Sequence, residues 1–312
     1  MKIAYYSVAP FCSSGFGICT RYLAYHLAKK HEVDIYSYFG YEGAEIPFMI
    51  EDRQVKIIGG NGTVYHPVFF DRYKEYDIQI LHFDGWVISK QLAQLKDANI
   101  IHWCILDSDP LQRAYIPMMR SEGVKLLVPM TNWGKKILEQ SRDVPKHKIA
   151  EPIPHGADPN IYYPENNPQV DFIPDDIDFF VVAVVDNNGI RENVPEIIEA
   201  FALFLRDIEP NAFLYMNTEP IKYGGYNLYE VIDAIEDKYN VKVRDKVMFK
   251  VTNGYLPSEI MRKLYCKANC LVNTVKGGSF ELPLIESGLC ETPAIATDWG
   301  ATGELLGEHE AY

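Results

Sequence analysis

The sequence has no apolar run of the roughly 20 residues that a helix needs to cross a bilayer. It is also short of positive charge, because 30 lysines and arginines stand against 43 acidic residues, for a net charge of −13. Binding to nucleic acid of any sequence depends on neutralising phosphates with Lys and Arg, so this charge disfavours that function and broad adhesion to anionic lipid. The apolar part of Met1–Ser7 is too short for a signal peptide and is typical of a first strand. We therefore expect a cytoplasmic protein with no transmembrane segment and no nucleic-acid partner.

Cysteine is scarce, with six residues scattered along 312 positions. Cys266 and Cys270 are about one helical turn apart, but no second pair of Cys or His accompanies them. The spacing therefore does not predict a zinc site. We expect buried free thiols, no metal site and no cofactor.

Strand-like apolar runs alternate with amphipathic helices, which predicts an α/β fold with parallel sheets covered on both faces. In the first half the predicted strands are 3–7, 33–37, 55–58, 78–81, 100–106 and 126–128, and the first helix covers about 17–30. In the second half the predicted strands are 179–185, 212–216, 247–250, 270–273 and 294–296, and the helices are 194–206, 228–238 and 258–267.

Proline marks a change of organisation between these two halves. Six prolines lie within residues 151–176, and prolines at that density prevent regular structure. We predict an N-terminal Rossmann-like domain at 1–156, a proline-rich linker at 157–176 and a C-terminal Rossmann-like domain at 177–312, each large enough for its own core.

The stretch Lys276–Asp298, which we call the signature segment, is the most informative part of the chain. Its sequence predicts a glycine-rich loop, then a helix with Pro283 at its first position, then the buried strand 294–296. The backbone amides of Phe280, Glu281 and Leu282 would lie at the positive end of the helix dipole, where a phosphate binds readily. Glu286, about one turn further on, would accept hydrogen bonds from a ribose diol. This combination fits a nucleotide-sugar site, although an ordinary helix–strand unit has the same pattern.

The signature segment resembles the donor-binding motif of the retaining GT-B glycosyltransferases, the "glycosyl transferases group 1" family. That motif reads Glu-Gly-Phe-Gly-Leu-Pro, two apolar residues and Glu, and here residues 278–286 read Gly-Ser-Phe-Glu-Leu-Pro-Leu-Ile-Glu. The Phe, the Leu-Pro pair and the second Glu match. Gly278 replaces the first Glu, whereas Ser279 and Glu281 replace the two glycines.

Three further stretches resemble the same family in the same order, so the resemblance covers nearly the whole chain. They are residues 152–164, 193–201 and 256–265, which are similar to the family's linker, its first C-domain helix and the helix before the motif. The resemblance implies two doubly wound Rossmann-like domains with a cleft between them. Family members usually continue for several elements past the strand at 294–296, so we expect a second domain that is either cut short or reduced.

The resemblance also implies roles for individual residues. The donor would contact the glycine-rich loop after the first strand, the loop after strand 179–185 and the signature segment. The implied donor-binding residues are Gly15, Phe16, Gly17, Asn187, Lys276, Ser279, Phe280, Glu281, Leu282 and Glu286. Arg191 stands one residue from the position of the family's lysine and is the candidate partner of the departing diphosphate, with a solvated surface arginine as the alternative.

On the first domain, polar residues follow two predicted strands. The candidates on the acceptor side are His82, Asp84 and Asp109, and Asp107 is the candidate catalytic carboxylate that orients or deprotonates an acceptor hydroxyl. Alternatively, Asp107 and Asp109 cap a helix that begins near Pro110. His102 and His155 are interpreted as core and linker residues.

The sequence thus predicts an enzyme, a glycosyltransferase that moves a sugar from a nucleotide-sugar donor to an unidentified acceptor: a glycan, lipid, protein or small molecule. The resemblance implies retention of the anomeric configuration without a metal. Two alternatives stay open. One is a nucleotide-sugar 2-epimerase, and the other is a catalytically silent protein of the same fold that binds a nucleotide or sugar.

Overall fold

The computed structural model describes residues 1–12, 14–184, 188–249 and 256–307. The chain divides into two compact units, Met1–His155 and Gly156–Tyr312. Within the described residues, no helix is both long and apolar enough to span a membrane.

The first unit is a twisted sheet with helices on its faces. Its strands are β1 (Lys2–Ser7), β2 (Glu32–Glu42), β3 (Ile46–Ile50), β4 (Arg53–Gly60), β5 (Ile78–Leu81), β6 (Ile100–Cys104) and β7 (Val124–Pro129). Its helices are α1 (Gly15–Ala28), α2 (Pro67–Arg72), α3 (Ser89–Leu92), α4 (Ile116–Arg120) and α5 (Asn132–Gln140). The described strands lie in the order β3-β4-β2-β1-β5-β6-β7.

One strand departs from the predicted parallel pattern. β3 follows β2 after a short turn and pairs antiparallel with β4, with Phe48 opposite Val55. It was not predicted from the sequence, because Pro47 lies inside the apolar run Ile46–Ile50 and lacks the amide hydrogen that a central strand needs, and β3 is indeed at the edge of the sheet. The other pairings in this sheet are parallel, as predicted.

Helix α1 begins at Gly15, two residues before the predicted start. The hydroxyl of Ser14 accepts a hydrogen bond from the Gly17 amide at 3.2 Å and so caps the first turn. This cap fixes the chain direction directly after the loop that follows β1.

The second unit is a smaller sheet of the same kind. Its strands are β8 (Phe179–Ala183), β9 (Ala212–Met216), β10 (Val247–Phe249), β11 (Cys270–Asn273) and β12 (Ala294–Ala296), in the order β10-β9-β8-β11-β12. Its helices are α6 (Val194–Asp207), α7 (Leu228–Tyr239), α8 (Ser258–Lys267), α9 (Leu282–Leu289) and α10 (Gly300–Leu306). All described pairings are parallel. The predicted α/β, doubly wound architecture of each unit is thus confirmed.

The proline-rich segment packs on the second unit. Tyr162, Val170 and Ile173 are buried in the core formed by β8, β9, α8 and α9. Arg262 of α8 is buried, forms an ion pair with Glu165 and lies 4.2 Å over the ring of Tyr163. The segment has no helix or strand at residues 157–176, and these side-chain contacts hold it against the second unit.

Candidate functional site

The strand orders show where each sheet offers a binding position. In the first sheet the chain leaves β1 toward β2 on one side and returns to β5 on the other. In the second sheet the chain leaves β8 toward β9 on one side and returns to β11 on the other. Ligands of open α/β sheets bind beyond the carboxyl ends of the strands at such reversal points. The loops after β1, β5, β8 and β11 are therefore the candidate sites.

In the second unit, Arg191 joins the loops that follow β8 and β11. It lies in a 3₁₀ turn, Ile190–Glu192, that leads into α6. Its guanidinium donates to the carbonyl oxygen of Gly277, and its own carbonyl accepts from the amide of Lys276 at 2.8 Å. The side chain is 51% exposed and also pairs with the carboxylate of Glu192, which is almost buried. The turn therefore holds a cation at the reversal point, with an acidic neighbour beside it.

Lys276 places a second positive charge in the same loop. Its side chain is half exposed, and its ammonium nitrogen lies 3.6 Å from a carboxylate oxygen of Glu196 in the first turn of α6. The structure thus brings the predicted residues Arg191 and Lys276 together. Asn187, the third predicted residue of this region, lies outside the described residues.

Helix α9 begins at Leu282, so Pro283 occupies the second helical position and not the predicted first one. Glu281 stands at the N-cap, but its side chain forms no cap hydrogen bond. One of its carboxylate oxygens instead accepts from the Asn273 side chain at 3.1 Å. The other lies over Gly278, where an added Cβ would be 2.0 Å from it. Ser279 and Phe280 are half-buried in the approach to the helix.

Glu286 lies inside the second unit, where it is only 7% exposed. Its carboxylate accepts from the Tyr265 hydroxyl at 2.9 Å. Burial raises the pKa of this carboxyl, while hydrogen bonds from Tyr265 and Tyr162 oppose the rise. The residue predicted to bind a ribose therefore also joins α9 to α8 and to the proline-rich segment.

In the first unit, the loop after β1 leaves no room for a side chain at Gly17. A Cβ there would be 2.0 Å from the carbonyl oxygen of Cys12. Gly15 is exposed, and the ring of the half-buried Phe16 lies 5.1 Å from that of His82. The loop thus brings the predicted Gly15–Gly17 stretch next to the predicted His82.

His82 is fully buried directly after β5. Its Nδ1 forms a hydrogen bond of 3.0 Å with the Tyr5 hydroxyl, and its ring packs 4.6 Å from Trp103 and 5.3 Å from His155. Burial, then the charges of His155 and His102, lower the pKa of His82 well below its usual value. The imidazole is therefore neutral at pH 7.

Asp84 and Asp107 act on one common neighbour, Tyr115. Burial, then the charge of Asp84 and more weakly that of Asp107, raise the pKa of the Tyr115 phenol. The carboxylate of Asp107 accepts from the Gln112 side chain at 3.3 Å. Asp84 follows β5 and Asp107 follows β6, and because these two strands are parallel neighbours, both predicted carboxylates lie on the same edge of the sheet.

The alternative helix-capping role of Asp107 and Asp109 is wrong. No helix begins near Pro110 in this described stretch, and the next helical turn is Arg113–Tyr115 with Gln112 before it. The bond between Asp109 and Pro110 is cis, and Asp109 is exposed. Residues 105–112 contain no helical turn, so there is no helix start for these carboxylates to cap.

Several supporting residues were not predicted. Asn273 holds Glu281, Tyr265 and Tyr162 hold Glu286, and Trp103 packs on His82. Asn273 is the last residue of a predicted strand, and a polar residue at a strand end could have been recognised as a candidate site residue. The tyrosines gave none, because their partners are distant in sequence.

No protein-family model matches the sequence, and no curated protein sequence matches it. The structure is similar to sucrose-phosphate synthase from Thermosynechococcus elongatus, with a TM-score of 0.70, 18% identity and coverage of 96% of this chain and 82% of that one. It is also similar to a glycosyltransferase from Rickettsia africae, with a TM-score of 0.64, 15% identity and coverage of 96% of this chain and 80% of that one. For the trehalose 6-phosphate synthase from Burkholderia multivorans the TM-score is 0.66 and the identity 12%, with coverage of 97% of this chain and 86% of that one. Likeness at these identities concerns the fold alone, and the chain has the GT-B-like fold of two Rossmann-like units.

Proposed function

We propose that the protein is a glycosyltransferase that takes a nucleotide-sugar donor on its second unit. The observation that carries the proposal is the junction of Arg191 with the loop Lys276–Gly277, at the point where the chain direction in the sheet reverses. It holds two cations near the start of α9, in a fold shared with solved glycosyltransferases. A nucleoside diphosphate is the ligand whose charge suits this arrangement.

The chemistry follows from the charge that develops during transfer. As the sugar leaves, negative charge grows on the diphosphate, and a helix N-terminus offers only about half an elementary charge to meet it. Arg191 supplies the remaining stabilisation, with Lys276 as the second cation. The two side chains take the place of a divalent metal, and the anomeric configuration is retained.

The first unit supplies the groups for the acceptor. His82 is neutral and buried, and Asp84 and Asp107 lie on the same sheet edge. In our proposal Asp107 orients or deprotonates the acceptor hydroxyl, while Asp84 and Asp109 accept hydrogen bonds from other acceptor hydroxyls.

A second candidate is a binding protein without catalysis. The observation that favours it is the ion pair between Arg191 and Glu192, which offsets part of the charge that a leaving diphosphate needs. Such a protein would bind a nucleotide or sugar without transferring it.

The deciding experiment combines binding and turnover. Calorimetric titration of the full chain with UDP, GDP and ADP tests the diphosphate site, and incubation with the matching nucleotide sugars tests transfer and donor hydrolysis. Binding with release of nucleoside diphosphate supports the glycosyltransferase, whereas binding without turnover supports the silent protein. Conversion of the donor into its 2-epimer supports the epimerase, and no binding to any diphosphate contradicts the proposal.

A further inference from the structure

The first glutamate of the family pattern is missing from residue 278, and an extra glutamate stands three residues later at 281. The structure links these two departures. A Cβ at residue 278 would be 2.0 Å from the Oε1 atom of Glu281. The carboxylate of Glu281 therefore fills the space that the Cβ atom of any other residue at 278 would need.

Backbone conformation does not require glycine at this position. Gly278 is not among the residues with positive φ, so its backbone suits an ordinary L-residue. The nearest three atoms to its added Cβ all belong to the Glu281 side chain. The neighbouring carboxylate is thus a reason for glycine at this position.

The backbone of Glu281 is at the N-cap position of α9, but its side chain does not cap the helix. The side chains that usually cap a helix are those of Ser, Thr, Asp and Asn, and Glu281 forms no cap hydrogen bond. It accepts instead from Asn273, the last residue of β11. The bond from Asn273 and the open space beside Gly278 are two features of its place.

We propose that Glu281 supplies, from a different position in the chain, the carboxylate that the family pattern places at residue 278, and that it binds hydroxyls of the donor sugar. This inference rests on the proposed function. A carboxylate repels a phosphate, so Glu281 faces the sugar end of the donor while Arg191 and Lys276 face the diphosphate. It accepts hydrogen bonds from sugar hydroxyls, and Asn273 positions it.

The test compares two ligands on four variants. Glu281→Gln removes the charge, Gly278→Ala adds a methyl group that displaces the carboxylate, Gly278→Glu/Glu281→Gly exchanges the two positions, and Glu281→Gly is the reference for that exchange. The ligands are UDP and UDP-glucose, with GDP and GDP-mannose or ADP and ADP-glucose in their place if wild type prefers those. Gly288→Ala on the same helix is the control, because nothing lies within 4 Å of its added Cβ.

We expect Glu281→Gln, Gly278→Ala and Glu281→Gly to weaken nucleotide-sugar binding about 10–100-fold, the effect of one hydrogen bond to a charged group, with diphosphate binding nearly unchanged. The exchanged variant should recover most of the loss relative to Glu281→Gly. Equal losses for both ligands, wild-type binding by Gly278→Ala, or no recovery in the exchanged variant would each overturn the inference.

Failure of the proposed function gives a different result. If wild type binds neither diphosphates nor nucleotide sugars, the sugar role of Glu281 falls with the proposed function. Melting temperatures still test whether residues 278 and 281 compete for one space. Gly278→Glu alone places a second carboxylate next to that of Glu281, which should lower the melting temperature. A melting temperature for the exchanged variant above that of Gly278→Glu supports the exchange, and one at or below it refutes it.

Discussion

Arg191 and Gly277 are joined by a hydrogen bond from the guanidinium to the carbonyl, across 86 residues of sequence. Lys276, the neighbour of Gly277, donates its amide to the carbonyl of Arg191 at 2.8 Å. The two contacts therefore link the loops that follow β8 and β11 at two neighbouring points. Arg191 therefore has two properties at once: it orders the loop before α9, and it carries a half-exposed cation.

The first prediction concerns that cation. Arg191→Ala should lower kcat about 10²–10³-fold, the usual loss when a donor to a developing negative charge is removed, with a smaller effect on donor binding. Steady-state kinetics and calorimetry measure the two effects. The matched control is Arg206→Ala, because Arg206 lies near the end of α6, the helix that follows the turn of Arg191, and pairs with Asp207. Normal turnover in Arg191→Ala would show that Lys276 or another group holds the phosphates.

Glu286 is the subject of the second prediction. If it accepts hydrogen bonds from a ribose, Glu286→Gln should weaken nucleoside diphosphate binding by about 1.5–3 kcal/mol, the size of a hydrogen bond to a charged group. Gln keeps the volume and still accepts from Tyr265, so the fold should survive. Calorimetric titration measures the change, and melting temperature confirms folding. An unchanged dissociation constant would leave Glu286 with its structural contacts only.

The third prediction is a pH dependence of stability in the first unit. Burial lowers the pKa of both His102 and His155 from 6.5 to about 4. The unfolded chain therefore binds more protons than the folded one below pH 6.5, so stability falls as the pH is lowered from 6.5 to 4. One such histidine contributes a slope of at most about 1.4 kcal/mol per pH unit.

His102→Gln should reduce that slope by about this amount, because it removes one of the titrating groups. Denaturant unfolding followed by tryptophan fluorescence measures it, since Trp86, Trp103 and Trp133 are three of the chain's four tryptophans and lie in the first unit. A slope identical to that of wild type would show that His102 is protonated equally in the folded and unfolded chain.

Gly17 gives the fourth prediction. Alanine is favoured over glycine in a helix by about 1 kcal/mol, but here its Cβ would meet the backbone oxygen of Cys12 at 2.0 Å. Because a backbone atom cannot turn away as a side chain does, we expect Gly17→Ala to lower the free energy of unfolding by about 1–3 kcal/mol. Gly156→Ala, with nothing within 4 Å, serves as the control. A variant as stable as wild type would mean that the loop after β1 moves freely.

The fifth prediction is that transfer continues in EDTA. Among the described residues no group of three or more His, Cys, Asp or Glu is placed to hold a metal ion, and Arg191 and Lys276 are proposed to meet the charge of the diphosphate. Turnover with and without chelator measures this. Loss of activity that Mn²⁺ or Mg²⁺ restores would contradict it and favour a metal-bridged diphosphate.

Most regular elements of the second unit could be predicted from the sequence, although α10 was not, and strand 294–296, predicted as buried, is half-buried with Ile295 exposed. Strands 212–216, 270–273 and 294–296 and helix 258–267 were predicted to the residue. This is possible because apolar periodicity records which side of each element is buried, and that information is local. The same periodicity predicted the α/β class and the strand ends that we propose as ligand sites.

Which side chains come into contact could not be predicted from the sequence. The bond of Arg191 to Gly277, the tyrosines around Glu286 and the carboxylate of Glu281 over Gly278 all depend on how loops approach each other in space. Even the three-residue separation of Gly278 and Glu281 did not reveal their contact, because a loop has no fixed period that relates sequence distance to direction. Antiparallel β3 was missed for a related reason, since its pairing with β4 and the packing of Ile46, Phe48 and Ile50 on the core are contacts in space.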